Sequence, residues 1–398
     1  MSNLATRLDP DLSPVDLFFD PAALSHLVGR PVRAGHLRWK RGVSAVARLH
    51  DDEGAGWVAA YSRSASDKLE KTFDRALAHG LELGRHEFDD GVLVTGPIAL
   101  DPKLFAALRP FRSHGELFPA PHTRVLKYNP FRRVVFSTGL NGGLNLVGKV
   151  RAGKRAGASP AVLERLRSNG VPVLVPFDDS ASPAILPRGG QLEYLPWYGE
   201  GDLGTVPLPC AVTASEAAGR ALALLHRQPP ISRTPTWRPI AGRLHPLVHE
   251  NATIMPEQLG RLVRVADRLE AKLRYPGRAA VVHGDFSSDQ VLVGSDGIRL
   301  IDFERCTYGA AAADLGSFAA VELLAEEHPT ADDALTLPRT AALLEGYGAG
   351  PNTVSECEVV AWAAFYLLDR LREPFRACTP DWHERMKARL ALIEEVLG

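Results

Sequence analysis

The sequence predicts a mixed α+β fold of two or three domains, and three observations lead to this prediction. The chain has 398 residues, which is too many for one simple hydrophobic core. In the first half of the chain, short apolar runs typical of strands alternate with amphipathic helical patterns. Near the end the periodicity is almost entirely helical, with helices predicted at 313–327, 331–346, 353–373 and 381–397.

Composition places the chain among ordinary globular proteins, because 45% of its residues are hydrophobic and 23% are charged. The net charge of −1 argues against a general nucleic-acid binder, so no nucleic acid is expected as a partner. The N-terminus lacks an apolar signal core, and no apolar run approaches the roughly 18 residues of a membrane span. This absence of a span predicts no membrane partner. Because the four cysteines have no metal or redox spacing, we expect a reducing, cytoplasmic location.

The first part of the chain contains a pattern of three strands and a helix. The helix is predicted over 66–79 with Ser66 as its N-cap, and the strands are predicted at 37–40, 45–49 and 57–61. A similar pattern follows at an offset of 89 residues (126 − 37), with a helix that Ser159 caps and Pro160 begins. This offset indicates an internal repeat. The alternative is that any two three-stranded antiparallel units look alike.

Residues 279–303 are the most informative stretch of the chain. Apolar runs at 279–282, 291–293 and 298–301 predict three short strands, which are separated by turn residues. The hairpin formed by the last two strands would return Asp302 to the side of Asp285 and Gln290. Two carboxylates and one amide would then converge at one edge of the strands.

This arrangement of two carboxylates and an amide suits phosphoryl transfer, because enzymes of this reaction mainly position the reactants and neutralise charge. A carboxylate, Asp285, would accept the proton of an attacking hydroxyl group. A second carboxylate, Asp302, and the amide oxygen of Gln290 would hold magnesium, which prefers oxygen ligands. The alternative is that these are ordinary turn residues, since Asp is common in turns. His283 is interpreted as a structural residue that braces the loop.

Two motifs in this stretch resemble those of a known family. His283-Gly284-Asp285-x-x-x-x-Gln290, followed by Ile301-Asp302-Phe303-Glu304, is similar to the catalytic loop and metal motif of the aminoglycoside phosphotransferase and choline kinase family. Ala312-Ala313-Asp314-Leu315-Gly316 matches the segment that follows the metal Asp, and in relatives this second Asp is mostly structural. The family usually has Asn at position 290. Gln keeps the amide oxygen and adds a methylene, as in the maltokinases of the family.

The resemblance implies a protein-kinase-like two-lobe fold, with ATP and Mg²⁺ as cofactors. It implies that residues 121–198 form the small lobe and hinge, and that residues 199–398 form a large, mainly helical lobe with the catalytic loop and acceptor site. Residues 1–120 are then an extra N-terminal α+β domain, either an accessory or a cap. Over 121–398 the resemblance is strongest at 279–318.

The resemblance also implies a nucleotide site. A kinase small lobe needs a strand lysine for the phosphates and a helix carboxylate that holds this lysine, and Lys149 and Glu164 follow this order. The first copy of the repeat has Ala60 where Lys149 falls, so we expect the second copy to be the working lobe. The alternative is that Lys149 is an ordinary solvated strand lysine. The predicted hinge residues, which would line the adenine pocket, are Glu193, Tyr194 and Leu195.

No Gly-x-Gly-x-x-Gly precedes Lys149, and the phosphate cover is either the turn 129–133 or the loop 139–143. A strand is expected to begin within 170–176, and Trp197 and Tyr198 either stack on a base or pack. Further along the chain, helices are predicted at 214–226 and 257–273, and a Pro- and Arg-rich loop or insertion at 228–251. Acidic residues that could line an acceptor site or simply be solvated are Glu322, Glu326, Glu327, Asp369, Asp381 and Glu384.

The predicted function is ATP- and magnesium-dependent phosphorylation of a hydroxyl group on a small polar molecule. Acceptors across the family include sugars, amino sugars, aminoglycosides and other antibiotics, so sugar kinase activity and antibiotic resistance both follow from the resemblance. The N-terminal domain and Gln290 favour a sugar or a sugar-containing natural product over choline. One alternative is a catalytically silent, kinase-like binding protein, which Gln290 and the missing glycine loop motivate. A second is a metal-dependent hydrolase, which would need a denser cluster of ligands.

Overall fold

A computed structural model describes residues 8–51, 54–121, 123–139, 145–153, 159–177, 186–187, 189–230, 239–275, 277–348 and 354–398. The chain divides into two compact units. The first comprises Met1–Arg155, Pro176–Trp197 and Glu373–Trp382, and the second comprises Ala156–Val175, Tyr198–Arg372 and His383–Gly398.

The strands, in chain order, are β1 Arg33–Lys40, β2 Ser44–Asp51, β3 Gly54–Ser62, β4 Gly84–Phe88, β5 Gly91–Pro97, β6 Thr123–Asn129, β7 Arg133–Gly139, β8 Asn145–Arg151, β9 Leu192–Pro196, β10 Gly201–Asp202, β11 Ala279–Val282, β12 Val291–Gly294, β13 Gly297–Leu300 and β14 Thr307–Ala310. The α-helices are α1 Pro21–Val28, α2 Glu70–Ala78, α3 Arg109–Ser113, α4 Pro160–Ser168, α5 Leu208–Leu225, α6 Ile240–Ile254, α7 Leu259–Leu273, α8 Ala311–Ala325, α9 Pro338–Gly348, α10 Glu356–Asp369, α11 Glu373–Arg376 and α12 Trp382–Leu397. The predicted α+β class, with antiparallel sheets followed by a mainly helical region, is confirmed.

Two antiparallel sheets form the first unit. One has five strands in the order β1-β2-β3-β5-β4, and the other has four strands in the order β6-β7-β8-β9. The first hairpin of each sheet has the same register, because Lys40 pairs with Ser44 and Asn129 pairs with Arg133. Each first strand also carries a register shift, between Gly35 and Arg38 in β1 and between Val125 and Lys127 in β6. The first two strands of the predicted repeat therefore pair in the same way in both sheets.

The two sheets share one hydrophobic core, in which aromatic residues from both sides of position 120 meet. The ring of Phe136 in β7 lies edge-on to those of Phe111 and Phe118, at centroid distances of 5.6 and 5.1 Å. Tyr194 in β9 packs edge-on to the same ring at 6.3 Å. Truncating a buried Phe of this kind costs about 3–5 kcal/mol, so this contact contributes much of the stability of the first unit.

The second unit holds two small sheets among its helices. One has the order β10-β12-β13, and the other pairs β11 with β14. Helix α7 lies within the helix predicted at 257–273. Its buried residues recur every three or four positions and are Leu262, Val265, Leu269 and Leu273. The predicted capping of α4 is confirmed, because the Ser159 hydroxyl accepts a hydrogen bond from Val162 N–H.

Three predictions of local structure were wrong. The segment predicted as a loop over 228–251 contains α6, whose buried Leu244, Leu247 and Asn251 have helical spacing although Pro246 lies inside the helix. Helix α2 begins at Glu70, because the residues from Arg63 to Leu69 form a 3₁₀-helix. The strand expected within 170–176 is reduced to one bridge to Leu300, since proline has no N–H for a strand ladder.

Candidate active site

The predicted catalytic loop lies in the second unit and begins where β11 ends. Gly284 has a φ of 81°, and a Cβ atom at this position would lie 2.3 Å from the carbonyl oxygen of Arg305. Only glycine combines this backbone conformation with such close approach. The turn at His283-Gly284 therefore fixes how Asp285 leaves the strand.

The buried carboxylate of Asp314 stabilises this turn through hydrogen bonds to its backbone. Asp314, in the first turn of α8, accepts hydrogen bonds from the backbone N–H groups of His283, at 2.6 Å, and Gly284, at 2.9 Å. His226 Nε2 lies 3.1 Å from the same carboxylate, and His226 Nδ1 lies 2.9 Å from the Tyr347 hydroxyl. Because Asp314 is completely buried, these contacts replace the water that its carboxylate would otherwise bind. This agrees with its prediction as a structural residue.

His283 connects the catalytic loop to the segment that carries Asp302. Its Nε2 atom lies 2.8 Å from the carbonyl oxygen of Ile301, and its ring packs against those of Phe286 and Phe303. The side chain is fully buried. Its position supports the interpretation of His283 as a brace.

Gln290 and Asp302 lie on adjacent segments, as the hairpin predicted. Ile301 N–H donates to the backbone carbonyl of Gln290 at 3.0 Å, and Val291 pairs with Leu300 in the β12–β13 ladder. Asp302 follows Ile301 in the left-handed region at φ 65°, a strained backbone for a residue other than glycine. Backbone hydrogen bonds of Ile301 thus tie the Asp302 segment to both His283 and Gln290.

The orientation of Gln290 suits a magnesium ligand. The side chain is 9% exposed, and its Nε2 donates to Asp289 Oδ1 at 3.0 Å, an oxygen that also accepts from the Ser287 hydroxyl at 2.6 Å. Since the amide nitrogen faces Asp289, the amide oxygen is the atom that could coordinate a cation. With the Asp302 carboxylate this gives an all-oxygen donor set, which is what Mg²⁺ prefers. The residues present therefore fit the predicted ion.

Asp285 is partly accessible and is bordered by two arginines. About a third of its side-chain surface, 36%, is exposed. Its Oδ1 atom lies 3.4 Å from Arg305 Nη1 and 3.8 Å from Arg370 Nη2. The exposure suits a residue that must meet a diffusing acceptor.

Lys149 lies in the first unit, on the central strand β8. Its backbone pairs with Val135 on one side and Glu193 on the other, and its side chain is only 8% exposed. The alternative of a solvated strand lysine is therefore wrong. The neighbouring Gly148 faces the core, where a Cβ atom would lie 2.1 Å from the Phe136 ring, so β8 buries one face and presents its polar side chains on the other.

The first sheet has no lysine at the corresponding position. Val135 corresponds to Val46 at the offset of 89 residues, and Val46 pairs with Ala59, so strand register places Ala59 rather than Ala60 at the Lys149 position. Ala59 pairs with Val94 on its other side, and Val46, Ala59 and Val94 all belong to the shared core. This face of the first sheet is filled by apolar side chains and cannot hold a nucleotide.

The hinge residues alternate between the two faces of their sheet. Glu193 and Leu195 pair with Lys149 and Val147, whereas Tyr194 pairs with Gly148 and is buried in the core. The backbone carbonyl of Tyr194 already accepts the N–H of Phe177 at 2.8 Å. The Tyr194 side chain therefore lies on the face opposite Lys149, because side chains of a strand point alternately to opposite faces, and the hinge assignment of residues 193–195 stays a prediction.

The remaining predicted residues lie as follows. Glu164 belongs to the second unit, where its carboxylate accepts a hydrogen bond from Arg167 at 2.5 Å, and its pairing with Lys149 stays a prediction. Tyr198 packs, since its hydroxyl donates to Asp296, and Trp197 is 46% exposed. Residues 140–143 of one proposed phosphate cover lie outside the described part of the chain.

A comparison with protein families now identifies the chain. Residues 151–365, more than half of the sequence, match the model of the phosphotransferase enzyme family. The chain belongs to this family. Its predicted enzyme class, a phosphotransferase with an alcohol group as acceptor, is confirmed, as is the resemblance found in its catalytic loop.

Solved structures that are similar to this phosphotransferase have low sequence identity to it. An aminoglycoside-3′-phosphotransferase of type VIII is 22% identical, with a TM-score of 0.45 over 67% of this chain and 98% of its own. A choline/ethanolamine kinase family protein from Mesorhizobium loti is 15% identical, with a TM-score of 0.45 over 68% and 87%. An amicoumacin kinase in complex with AMP-PNP and Ca²⁺ is 14% identical, with a TM-score of 0.49 over 69% and 88%. No curated protein matches the chain.

Two further observations concern metal-binding groups and membrane-spanning helices among the described residues. Among the described residues, no group of three or more His, Cys, Asp or Glu side chains is arranged to hold a metal ion, as the hydrolase alternative would need. No helix in the described part of the chain is long and apolar enough to cross a membrane.

Sequence reasoning missed two residues of the phosphotransferase, Asp101 and Arg370. Asp101 is fully buried, and its carboxylate accepts hydrogen bonds from Phe131 N–H and the Tyr128 hydroxyl, both at 2.7 Å. It thereby holds the turn between β6 and β7 from a position that precedes both strands in the sequence, and Phe131 has a φ of 62° in this turn. Arg370 ends α10 and reaches Asp285. An acidic residue within an otherwise apolar segment, Asp101 among Ile98-Ala99-Leu100 and Leu104, was the available signal for the first.

Proposed function

We propose that the protein transfers the γ-phosphoryl group of ATP, in the presence of Mg²⁺, to a hydroxyl group of a sugar, an amino sugar, or an aminoglycoside or other antibiotic. The observation that carries the proposal is the tethering of three oxygen-bearing side chains, Asp285, Gln290 and Asp302, to one set of backbone hydrogen bonds. Positioning of this kind supplies most of the catalysis in phosphoryl transfer.

Asp285 is assigned as the general base. Both arginine contacts fall on its Oδ1 atom, so Oδ2 is the oxygen that would accept the hydrogen bond of the acceptor hydroxyl. As the acceptor oxygen bonds to the γ-phosphorus, the bond from this phosphorus to the β,γ-bridging oxygen breaks and ADP leaves with the electron pair. The hydroxyl proton passes to Asp285. Such a positioned base contributes about 10²- to 10⁴-fold to the rate.

The other residues bind and orient the reactants. Asp302 and the Gln290 amide oxygen would hold Mg²⁺, which neutralises charge on the phosphate oxygens when it is bound. Lys149 would contact the nucleotide phosphates, with Glu164 as the carboxylate that aims it. Glu193 and Leu195 would line the adenine pocket, and Tyr194 would support the strand from the core.

The N-terminal residues 1–120 are proposed as an accessory part of this enzyme. Their sheet cannot hold a second nucleotide, because Ala59 and its partners are buried in the core. A sugar or a sugar-containing natural product remains the favoured acceptor, on the grounds of this extra part and of Gln290. Cytoplasmic location stays a prediction from the cysteine pattern.

A screen of acceptors tests the proposal. Purified protein with ATP and Mg²⁺ is supplied with panels of neutral sugars, amino sugars and aminoglycosides, and ADP release is measured. Acceptor-dependent ADP release that disappears in Asp285→Asn is expected. If no acceptor from any panel raises ADP release above the rate without acceptor, the proposed substrates are wrong.

A further inference from the structure

Two arginine side chains border the proposed base. One carboxylate oxygen, Asp285 Oδ1, lies within 4 Å of two guanidinium groups, those of Arg305 and Arg370. Asp285 carries one negative charge and the two arginines carry two positive charges, since arginine stays protonated in proteins. An acceptor hydroxyl that approaches Asp285 therefore meets two guanidinium groups within 4 Å of the carboxylate that would receive its proton.

Arg370 is held firmly in this position. It is the C-terminal cap of α10, its side chain is 13% exposed, and its guanidinium carbon lies 5.6 Å from the centre of the Tyr366 ring. Its backbone carbonyl accepts a hydrogen bond from Arg389 at 3.0 Å. Arg305, by contrast, is 65% exposed and sits on the turn after Asp302. Arg370 is therefore the fixed charge, because packing on Tyr366 and the hydrogen bond to its backbone carbonyl limit its motion.

Two of the acidic residues that sequence reasoning considered as walls for a cationic acceptor have other partners. Glu322 is 4% exposed, and its carboxylate accepts hydrogen bonds from the backbone N–H groups of Arg339 and Thr340 at the start of α9. Glu384 is exposed and pairs with Lys387 at 3.1 Å. These two carboxylates stabilise helices rather than the proposed base, so they do not offset the arginines beside Asp285.

We propose that the acceptor carries an anionic group, a carboxylate or a phosphate ester, close to the hydroxyl that is phosphorylated, and that Arg370 binds this group. A planar guanidinium offers paired N–H donors that match the oxygens of either anion. The inference rests on the proposed function and narrows its acceptors, because an amine at the same place would face Arg370 with a like charge.

The test uses acceptors that differ in one substituent and in the charge that it carries. Glucose, glucosamine, glucuronate and glucose 6-phosphate form one series, and glycerol, 2-amino-1,3-propanediol, glycerate and glycerol phosphate form another. For each compound kcat and KM are measured by ADP release with ATP and Mg²⁺. We expect the anionic members to exceed their neutral and amino counterparts in kcat/KM by about 10- to 100-fold, the size of a charge-assisted hydrogen bond. The carboxylate and phosphate arms show which anion is bound.

Variants at position 370 test the residue itself. Arg370→Gln is expected to raise KM for the anionic acceptors about 10- to 100-fold, and Arg370→Lys to restore part of the preference. Arg220→Gln, which removes an exposed arginine paired with Glu216 on α5, is the matched control and should keep the wild-type preference. If Arg370→Gln instead lowers kcat equally for all members of a series, Arg370 acts on the transferred phosphoryl group and the inference is overturned.

The failure of this inference is distinguishable from failure of the proposed function. If no compound supports ADP release, the phosphotransferase proposal fails for these series, and binding then decides the charge preference. The same compounds are titrated into the protein with AMP-PNP and Mg²⁺ by calorimetry. Tighter binding of the anionic members supports the inference, whereas tighter binding of neutral or amino members, or binding of none, overturns it.

Discussion

The carboxylate of Asp314 accepts the backbone N–H of His283 at 2.6 Å, and this hydrogen bond links helix α8 to the catalytic turn. A second one from Gly284 reaches the other carboxylate oxygen at 2.9 Å. The catalytic loop is therefore positioned through its backbone by a residue that never needs to touch a substrate. Such support is how a fold holds a base within the small tolerance that catalysis allows.

Asp314→Ala should destabilise the protein by about 2–5 kcal/mol, because it leaves two buried backbone N–H groups and His226 without their acceptor. Urea unfolding measures this loss. Asp267→Ala removes an exposed carboxylate from α7 and is the control, with an expected change within about 0.5 kcal/mol. Equal effects of the two substitutions would show that Asp314 does not hold the loop.

Asp285→Asn should lower kcat by about 10²- to 10⁴-fold and leave nucleotide binding nearly intact, because the amide cannot accept the hydroxyl proton. Turnover is followed by ADP release, and nucleotide affinity by calorimetry with AMP-PNP. A variant that keeps wild-type turnover would remove Asp285 from its role as the base.

Asp302→Ala should abolish the part of nucleotide affinity that depends on Mg²⁺, since it removes the charged ligand of the proposed site. Gln290→Asn should keep partial activity, because the amide oxygen survives on a side chain that is one methylene shorter. Titration of AMP-PNP with and without Mg²⁺ measures both effects. Unchanged Mg²⁺ dependence in Asp302→Ala would place the metal site elsewhere.

Lys149→Ala should reduce kcat/KM for ATP by about 100-fold or more, because a fixed positive charge next to the phosphates is lost. Glu164→Ala should have a smaller effect. Lys68→Ala is the control in the first copy of the repeat, where strand register places Ala59 at the Lys149 position. Near-normal kinetics in Lys149→Ala combined with an inactive Lys68→Ala would exchange the roles of the two sheets.

Asp101 should give a pH-dependent contribution to stability. Burial raises the pKa of the Asp101 carboxyl above its usual value, although hydrogen bonds from Phe131 and Tyr128 act in the opposite direction. An acid with a raised folded-state pKa stabilises the fold fully below its unfolded pKa of about 3.9, and this contribution is lost as pH rises through the folded pKa. The free energy of unfolding of the wild type, relative to Asp101→Asn, should therefore decrease between pH 4 and pH 8.

Urea unfolding of both proteins at several pH values checks this expectation. The Asn variant has no titrating group at position 101, so it corrects for every other group in the chain. A difference that instead increases with pH would show that the hydrogen bonds outweigh burial and that the folded-state pKa is lowered.

Local sequence was sufficient to predict much of the structure of residues 279–303. Strands β11, β12 and β13 and the adjacency of the segments that carry Gln290 and Asp302 follow from turn residues and apolar runs within one short stretch of chain. The segment 228–251 shows the limit of such reasoning. A proline and several arginines favoured a loop there, but the apolar face of α6 is buried, and tertiary packing outweighs local propensity.

The sequence by itself therefore determined the family and the α+β class, and it predicted Asp285 and Asp302 as the working carboxylates, because the chemistry requires such side chains in a fixed order along the chain. Only the tertiary structure decided that Tyr194 faces the core, that Ala59 takes the place of Lys149 in the first sheet, and that Arg370 reaches Asp285. Each of these depends on strand register or on contact between distant residues. Register and long-range contacts are set by how whole elements pack, which no single stretch of sequence records.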